Sequence, residues 1–113
     1  MEYVCILDML ALMRALTNDK DELAFYRILD LLPRIGSIYA NNIVSALMNE
    51  GISLQTIDKY RNRDFYKYLE KLIETVLSAR NETEIGNQFE ILYSFYIDIR
   101  QYKIDHLNTK DTD

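Results

Sequence analysis

The clearest pattern in the sequence is the segment 65–77, which reads Phe-Tyr-Lys-Tyr-Leu-Glu-Lys-Leu-Ile-Glu-Thr-Val-Leu. Its apolar positions follow the spacing i, i+4, i+7, i+8, i+11 and i+12, and they are Phe65, Leu69, Leu72, Ile73, Val76 and Leu77. Because an α-helix has 3.6 residues per turn, this spacing puts all of them on one stripe. The segment is therefore predicted to be an amphipathic helix lying on a hydrophobic core.

Outward from this segment, the sequence predicts five further helices. The first covers 3–16, and the second follows the acids at 21–22 and ends near residue 32. The others cover 38–48, 54–60 and 81–102. Asp21 and Glu22 suit the start of the second helix, and Asn81 with Glu84 resembles a capping box that opens the last one. A β-sandwich or barrel needs many tight turns, and three glycines and one proline are too few to form them easily. We predict an all-α domain of five to six helices, spanning 1–107 and followed by a polar tail over 108–113.

The first predicted helix carries charge only at Asp8 and Arg14. One side holds Leu7, Leu10, Met13 and Leu16, while Met9 and Leu12 point elsewhere. A helix that is apolar nearly all round is normally covered on more than one face. This pattern favours a fragment whose first helix packs against a further part of a larger protein.

Charge and composition limit the classes of function. The net charge of −5 is unlike that of a free-standing nucleic-acid binder, so any DNA contact must be local. The single cysteine, Cys5, excludes an internal disulfide. No apolar run reaches the roughly 18 residues that span a bilayer, and Glu2 and Asp8 interrupt the only stretch resembling a signal peptide. A cytoplasmic protein without a membrane partner is expected.

No pattern for catalysis is found. Gly36, Gly51 and Gly86 cannot form a phosphate-binding P-loop, so this chain is not expected to hydrolyse ATP. Cys5 and His106 lack a third positioned group, and we predict a buried cysteine and a solvated histidine. The carboxylate clusters lie at predicted helix starts, where capping explains them. We expect no catalytic residue, no metal site and no cofactor in this chain.

A turn pattern carries the main functional signal. The segment 29–43 reads Leu-Asp-Leu-Leu-Pro-Arg-Ile-Gly-Ser-Ile-Tyr-Ala-Asn-Asn-Ile and resembles a helix-hairpin-helix. The matching positions are Pro33, Ile35, Gly36, Ala40 and Ile43. In such a turn, Ile35 would plug between the two helices and Gly36 would let the backbone approach a phosphate. The amides near Ser37 and Ile38 would then bind an anion at the helix N-terminus, without reading the base sequence.

One position departs from this pattern. Arg34 stands where the motif has its first glycine, and it adds a positive charge that suits phosphate. Because arginine tolerates left-handed dihedral angles poorly, the loop is expected to be reshaped. The alternative interpretation is a plain helical hairpin, in which proline ends one helix and glycine precedes the next.

A second stretch is locally basic. Five positive residues (Lys59, Arg61, Arg63, Lys67, Lys71) stand against Asp64 and Glu70, a surplus of three. The aromatic residues between them are Tyr60, Phe65, Tyr66 and Tyr68. Basic residues interleaved with aromatics can form a nucleic-acid groove, and Lys59, Arg61 and Arg63 are therefore candidate DNA contacts. The alternative is a solvated helix face above a core stripe.

The stretch from Asp8 to Ile43 also resembles the entry into the 2B subdomain of UvrD/Rep-type superfamily 1 DNA helicases. The resemblance lies in an Asn-Asp step at 18–19, an acidic pair at 21–22, the segment Phe25-Tyr26-Arg27-Ile28-Leu29 and the Arg34-Ile35-Gly36 turn. It implies a non-catalytic helical subdomain that contacts duplex DNA through Arg34, Ile35, Gly36 and Ser37. ATP and magnesium would be held by the motor domains of the parent helicase, which would be this chain's partners.

A different class of function stays open at this point. The apolar first helix, together with nine tyrosines in the chain, would suit a helical protein-interaction or regulatory module without DNA binding.

Overall fold

A computed structural model describes the backbone of residues 3–111 and the side chains of residues 3–105. The described part contains no β-strand and six α-helices, with a single 3-10 turn, Asp58–Tyr60, directly after the fourth. The helices are α1 (Tyr3–Thr17), α2 (Glu22–Leu31), α3 (Ser37–Glu50), α4 (Leu54–Ile57), α5 (Tyr66–Arg80) and α6 (Ile85–Asp111). The prediction of an all-α fold with five to six helices is confirmed.

The core is arranged around α1, which packs against α2, α5 and α6. The stripe predicted on α5 faces this core, because Leu69, Leu72, Ile73 and Val76 are fully buried. Burying an aliphatic side chain of this size stabilises the fold by about 1.5–3 kcal/mol. The periodic spacing in the sequence therefore identified the supporting face of the domain.

The helix ends near the turn follow local chemistry. Asp21 caps α2, since its Oδ1 accepts a hydrogen bond from the Ala24 amide at 3.1 Å. Leu32 is extended, with φ −79° and ψ 141°, as expected for a residue before proline, and α2 therefore ends ahead of Pro33. Gly51 ends α3 with φ 99°, a conformation that favours glycine.

The predicted start of the last helix is wrong. Asn81 does not open α6; it caps the C-terminus of α5, and its amide donates backward to Ser78 O at 3.2 Å. A capping box needs an extended N-cap residue, whereas Asn81 is in the right-handed helical region. The helix also continues to Asp111, past the predicted end near residue 102 and into the predicted polar tail. Residues 112–113 of that tail lie outside the described residues.

The apolar residues of α1 divide between a buried and an exposed side. Its inward side holds Cys5, Asp8, Met9, Leu12 and Leu16, while Leu10 is exposed. The buried Asp8 explains this choice, because Arg27 Nε lies 2.9 Å from Oδ1 and the Tyr96 hydroxyl donates to Oδ2 at 2.8 Å. Three other large apolar side chains are also exposed: Leu23, Ile85 and Phe89.

Candidate nucleic-acid interface

The turn between α2 and α3 keeps a left-handed residue. Arg34 has φ 66° and is the only non-glycine residue with positive φ in the described part of the chain. This conformation costs an L-residue roughly 1–2 kcal/mol, so the surrounding contacts must hold it in place. Ile35 supplies one of them, because its half-buried side chain packs against the core.

The first turn of α3 presents amides without internal partners. Gly36 is the N-cap with φ −82° and ψ 174°, and it has no side-chain capping hydrogen bond. Ser37 is the first helical residue, and within residues 3–111 neither its amide nor that of Ile38 donates a hydrogen bond. A Cβ atom placed on Gly36 would meet nothing within 4 Å. Gly36, Ser37 and Ile38 are exposed residues, and the helix dipole favours an anion beside their amides.

A groove of about 420 Å³ opens beside these amides, and we call it the turn groove. It is lined by Tyr26, Arg27, Asp30, Ile35, Gly36, Ser37, Ala40 and Asn41. Its one positive and one negative side chain cancel in formal charge. Arg27 is moreover engaged with the buried Asp8, and the exposed Asp30 carboxylate opposes an anion. Attraction for a phosphate must therefore come from the amides and from Arg34 at the edge.

The side chain of Arg34 extends toward the connection before α5. Its Nη1 lies 3.2 Å from Asp64 Oδ2, and both side chains are more than half exposed, at 58% and 67%. Hydrogen bonding with Tyr102 and then with Asp64 raises the pKa of Arg34, which is charged at any physiological pH. Because both side chains are exposed, solvent screens the attraction between them and the pair adds little to stability. Asp64 therefore orients the guanidinium only through a weak contact, which a bound phosphate could replace.

The structure brings only part of the basic stretch to this turn. Arg63 lies over the ring of Tyr39, in the first turn of α3, with its guanidinium carbon 5.1 Å from the centroid. Lys59 pairs with Glu50 at the opposite end of α3, at 3.5 Å. Fourteen residues of helix separate those ends by about 20 Å. Arg61 pairs locally with Asp58. Of the three candidates, Arg63 lies nearest the amides.

The aromatic residues of the basic stretch belong to the core. Tyr60, Phe65 and Tyr68 are all less than a tenth exposed, and Phe65 packs edge-on against Tyr39 with ring centroids 5.1 Å apart. Rings buried in this way cannot stack on bases, so a stacking role for these three is wrong. The basic side chains of this segment are exposed, and a DNA contact through Lys59, Arg61 and Arg63 stays a prediction.

The remaining sequence-based predictions concern chemistry. Cys5 is buried as predicted, and its sulfur contacts Arg100. The side chain of His106 lies outside the described residues. Across the described residues, no group of three or more histidine, cysteine, aspartate or glutamate side chains could hold a metal ion. Within the same part of the chain, no helix combines the length and the apolar character needed to cross a bilayer.

Comparison with known proteins gives no match to a family model, to a curated protein or to a solved structure. The function must therefore be argued from the geometry of this chain.

Proposed function

We propose that this chain is a non-catalytic accessory domain that contacts the backbone of duplex DNA at the α2–α3 turn, within an ATP-dependent DNA helicase of the UvrD/Rep type. The observation that supports this most is the uncapped N-terminus of α3. The amides of Ser37 and Ile38 lack internal partners, and the space beside Gly36 is open. A phosphate oxygen is an acceptor of suitable charge for such a helix end.

The binding mode follows from these groups. A phosphate oxygen would accept hydrogen bonds from the Ser37 and Ile38 amides, while Arg34 would approach from the edge of the turn. Ile35, packed against the core, would hold the turn in position. Since only one or two phosphates are engaged, binding should be weak, independent of sequence, and reduced by salt with a slope of about one to two.

One feature favours duplex DNA over single-stranded DNA. Tyr60, Phe65 and Tyr68 of the basic stretch are buried, so they offer no platform on which unpaired bases could stack. The backbone amides of the turn bind phosphate oxygens and do not read bases. Because the chain carries a net charge of −5, longer-range attraction would have to come from the rest of the helicase.

The substitution Gly36→Asp tests this proposal. An aspartate at the N-cap would accept hydrogen bonds from the first amides of α3 and repel phosphate, while stability stays equal or rises by a few tenths of a kcal/mol. We expect the affinity for a fluorescein-labelled duplex, measured by anisotropy at low salt, to fall about tenfold or more. Gly36→Ala is the control, because its Cβ fits without contact, and it should bind within about twofold of the unmodified chain. Unchanged binding by Gly36→Asp would rule out the amide site.

A second candidate function is a helical protein-interaction module. It is favoured by apolar side chains that α1 leaves in solvent, among them Tyr3, Val4, Ile6 and Leu10. Contiguous exposed apolar surface commonly marks a contact with another protein. A partner bound through α1 would be lost in Leu10→Lys and retained in Gly36→Asp, whereas duplex binding would show the opposite response.

A further inference from the structure

A second groove lies between α5 and α6, on elements that do not contribute to the turn groove. Its volume is about 550 Å³. It is lined by Lys71, Glu74, Thr75, Ser78, Glu90, Ile91, Ser94, Phe95 and Asp98. The half-buried Ile91 supplies most of the apolar wall, because Phe95 is only 3% exposed, and the hydroxyl of Thr75 donates a hydrogen bond to Lys71 O. We call this feature the acidic groove.

The charges around the acidic groove are not compensated. Three carboxylates, those of Glu74, Glu90 and Asp98, face one ammonium group, which leaves a formal charge of −2. All three carboxylates belong to exposed residues. Among the described side chains, the ion pairs use other acids, so none of these three has a basic partner. Unpaired charge of one sign around a partly apolar groove is complementary to a cationic ligand with apolar parts.

We propose that the acidic groove binds an extended segment of a partner protein that carries lysine or arginine residues on either side of an apolar residue. Glu90 and Asp98 are eight residues apart on α6, a distance of about 12 Å along the helix axis. An extended chain covers about 12 Å in four residues. Basic residues four positions apart can therefore reach both carboxylates while the side chain between them lies against Ile91 and Phe95.

The same observations argue against other ligands. The negative charge repels the phosphates of DNA or RNA. The three carboxylates do not come together as a cluster that could hold a metal ion. A peptide segment satisfies the spacing because its charges are separated by several residues. This proposal is independent of the DNA contact at the turn and would survive the failure of that contact.

The test uses the full chain and a labelled nine-residue peptide with two lysines four positions apart and a leucine midway between them. A peptide in which both lysines are replaced by glutamate serves as the charge control. At low salt we expect the lysine peptide alone to bind, with amide chemical-shift changes confined to α5 and α6. The triple variant Glu74→Gln, Glu90→Gln, Asp98→Asn should weaken binding about tenfold, since both ion pairs to the lysines and the remaining negative charge of the groove are lost.

The matched control is the triple variant Glu22→Gln, Glu50→Gln, Glu84→Gln. It changes the net charge by the same amount at exposed positions outside the groove, and it should bind the peptide within about twofold of the unmodified chain. Circular dichroism establishes that both variants are folded. Equal losses in the two variants, shift changes at the α2–α3 turn, or no binding of the lysine peptide would each overturn the proposal.

Discussion

The turn groove and the acidic groove are similar in size, at about 420 and 550 Å³, yet they differ in the chemical groups that they present. The turn groove offers free backbone donors with Arg34 at its edge, and its lining side chains are neutral overall. The acidic groove offers three unpaired carboxylates and a single lysine. The comparison teaches that a net charge of −5 does not describe every surface of this chain, because the charges are unevenly distributed.

The largest expected effect concerns a buried carboxylate of α1 that contacts the turn groove on one side and α6 on the other. Asp8 is buried, and it holds Arg27 of the turn groove as well as Tyr96 of α6. In Asp8→Ala both partners lose their acceptor, so we expect the free energy of unfolding to fall by about 3 kcal/mol, measured by urea denaturation. Asp30→Ala, an exposed carboxylate in the turn groove, should change it by less than about 0.5 kcal/mol. Equal effects of the two substitutions would contradict the central role of Asp8.

An intermediate effect is expected at high pH. The hydroxyl of Tyr68 is buried without a hydrogen-bond partner among the described residues, and burial raises the pKa of Tyr68 to about 12. Its folded pKa lies above the unfolded value near 10, so this contribution to stability is complete below pH 10 and is lost as the pH rises toward 12. The loss should amount to about 3 kcal/mol at most, and about half of it should be reached by pH 11. Urea denaturation between pH 9 and 11 should show a shallower decline for Tyr68→Phe than for the unmodified chain.

The smallest expected effects concern the arginine beside the turn groove. Arg34→Glu should lower duplex affinity about tenfold, since it reverses the positive charge that Arg34 contributes at the edge of the amide site. Arg34→Gly removes the charge but relieves the left-handed conformation, so it should raise stability by about 1 kcal/mol and weaken binding only a few-fold.

Lys59→Glu provides the contrast for the Arg34 variants. Lys59 lies at the far end of α3 and already pairs with Glu50, so its reversal should change duplex affinity less than about twofold. A loss equal to that of Arg34→Glu would mean that the contact surface extends along α3.

The predictions succeeded where residues close together in the sequence determine the structure. The stripe on α5 was predictable because six apolar positions agree with one helical period, and Asp21 was predictable because its side chain caps the amide three residues later. The orientation of α1 was not, since apolar residues occur on most of its sides and either side could have faced the core. The prediction that Asn81 opens the last helix was wrong because asparagine is common at both ends of helices. The residue type alone does not show which of the two adjoining helices it caps.

The candidate sites divide in the same way. The position of the turn at 33–37 could be predicted from residue types alone. The sequence could not show that Arg34 adopts a left-handed conformation in it. The acidic groove left no signal of its own, because Glu74 on one helix and Glu90 and Asp98 on another are ordinary surface residues until the two helices pack together. The core position of Tyr60, Phe65 and Tyr68 was likewise open between two interpretations.

By itself, the sequence determined that this chain is helical, where most of its helices begin and end, and that the α2–α3 turn is unusual. These properties depend on side-chain spacing, capping and proline geometry within a few residues of each other. Only the tertiary structure decided which face of α1 is buried, which aromatic rings remain accessible, and which charges meet across a groove. Those outcomes depend on contacts between residues far apart in the chain, such as Asp8 with Tyr96, and no local pattern records them.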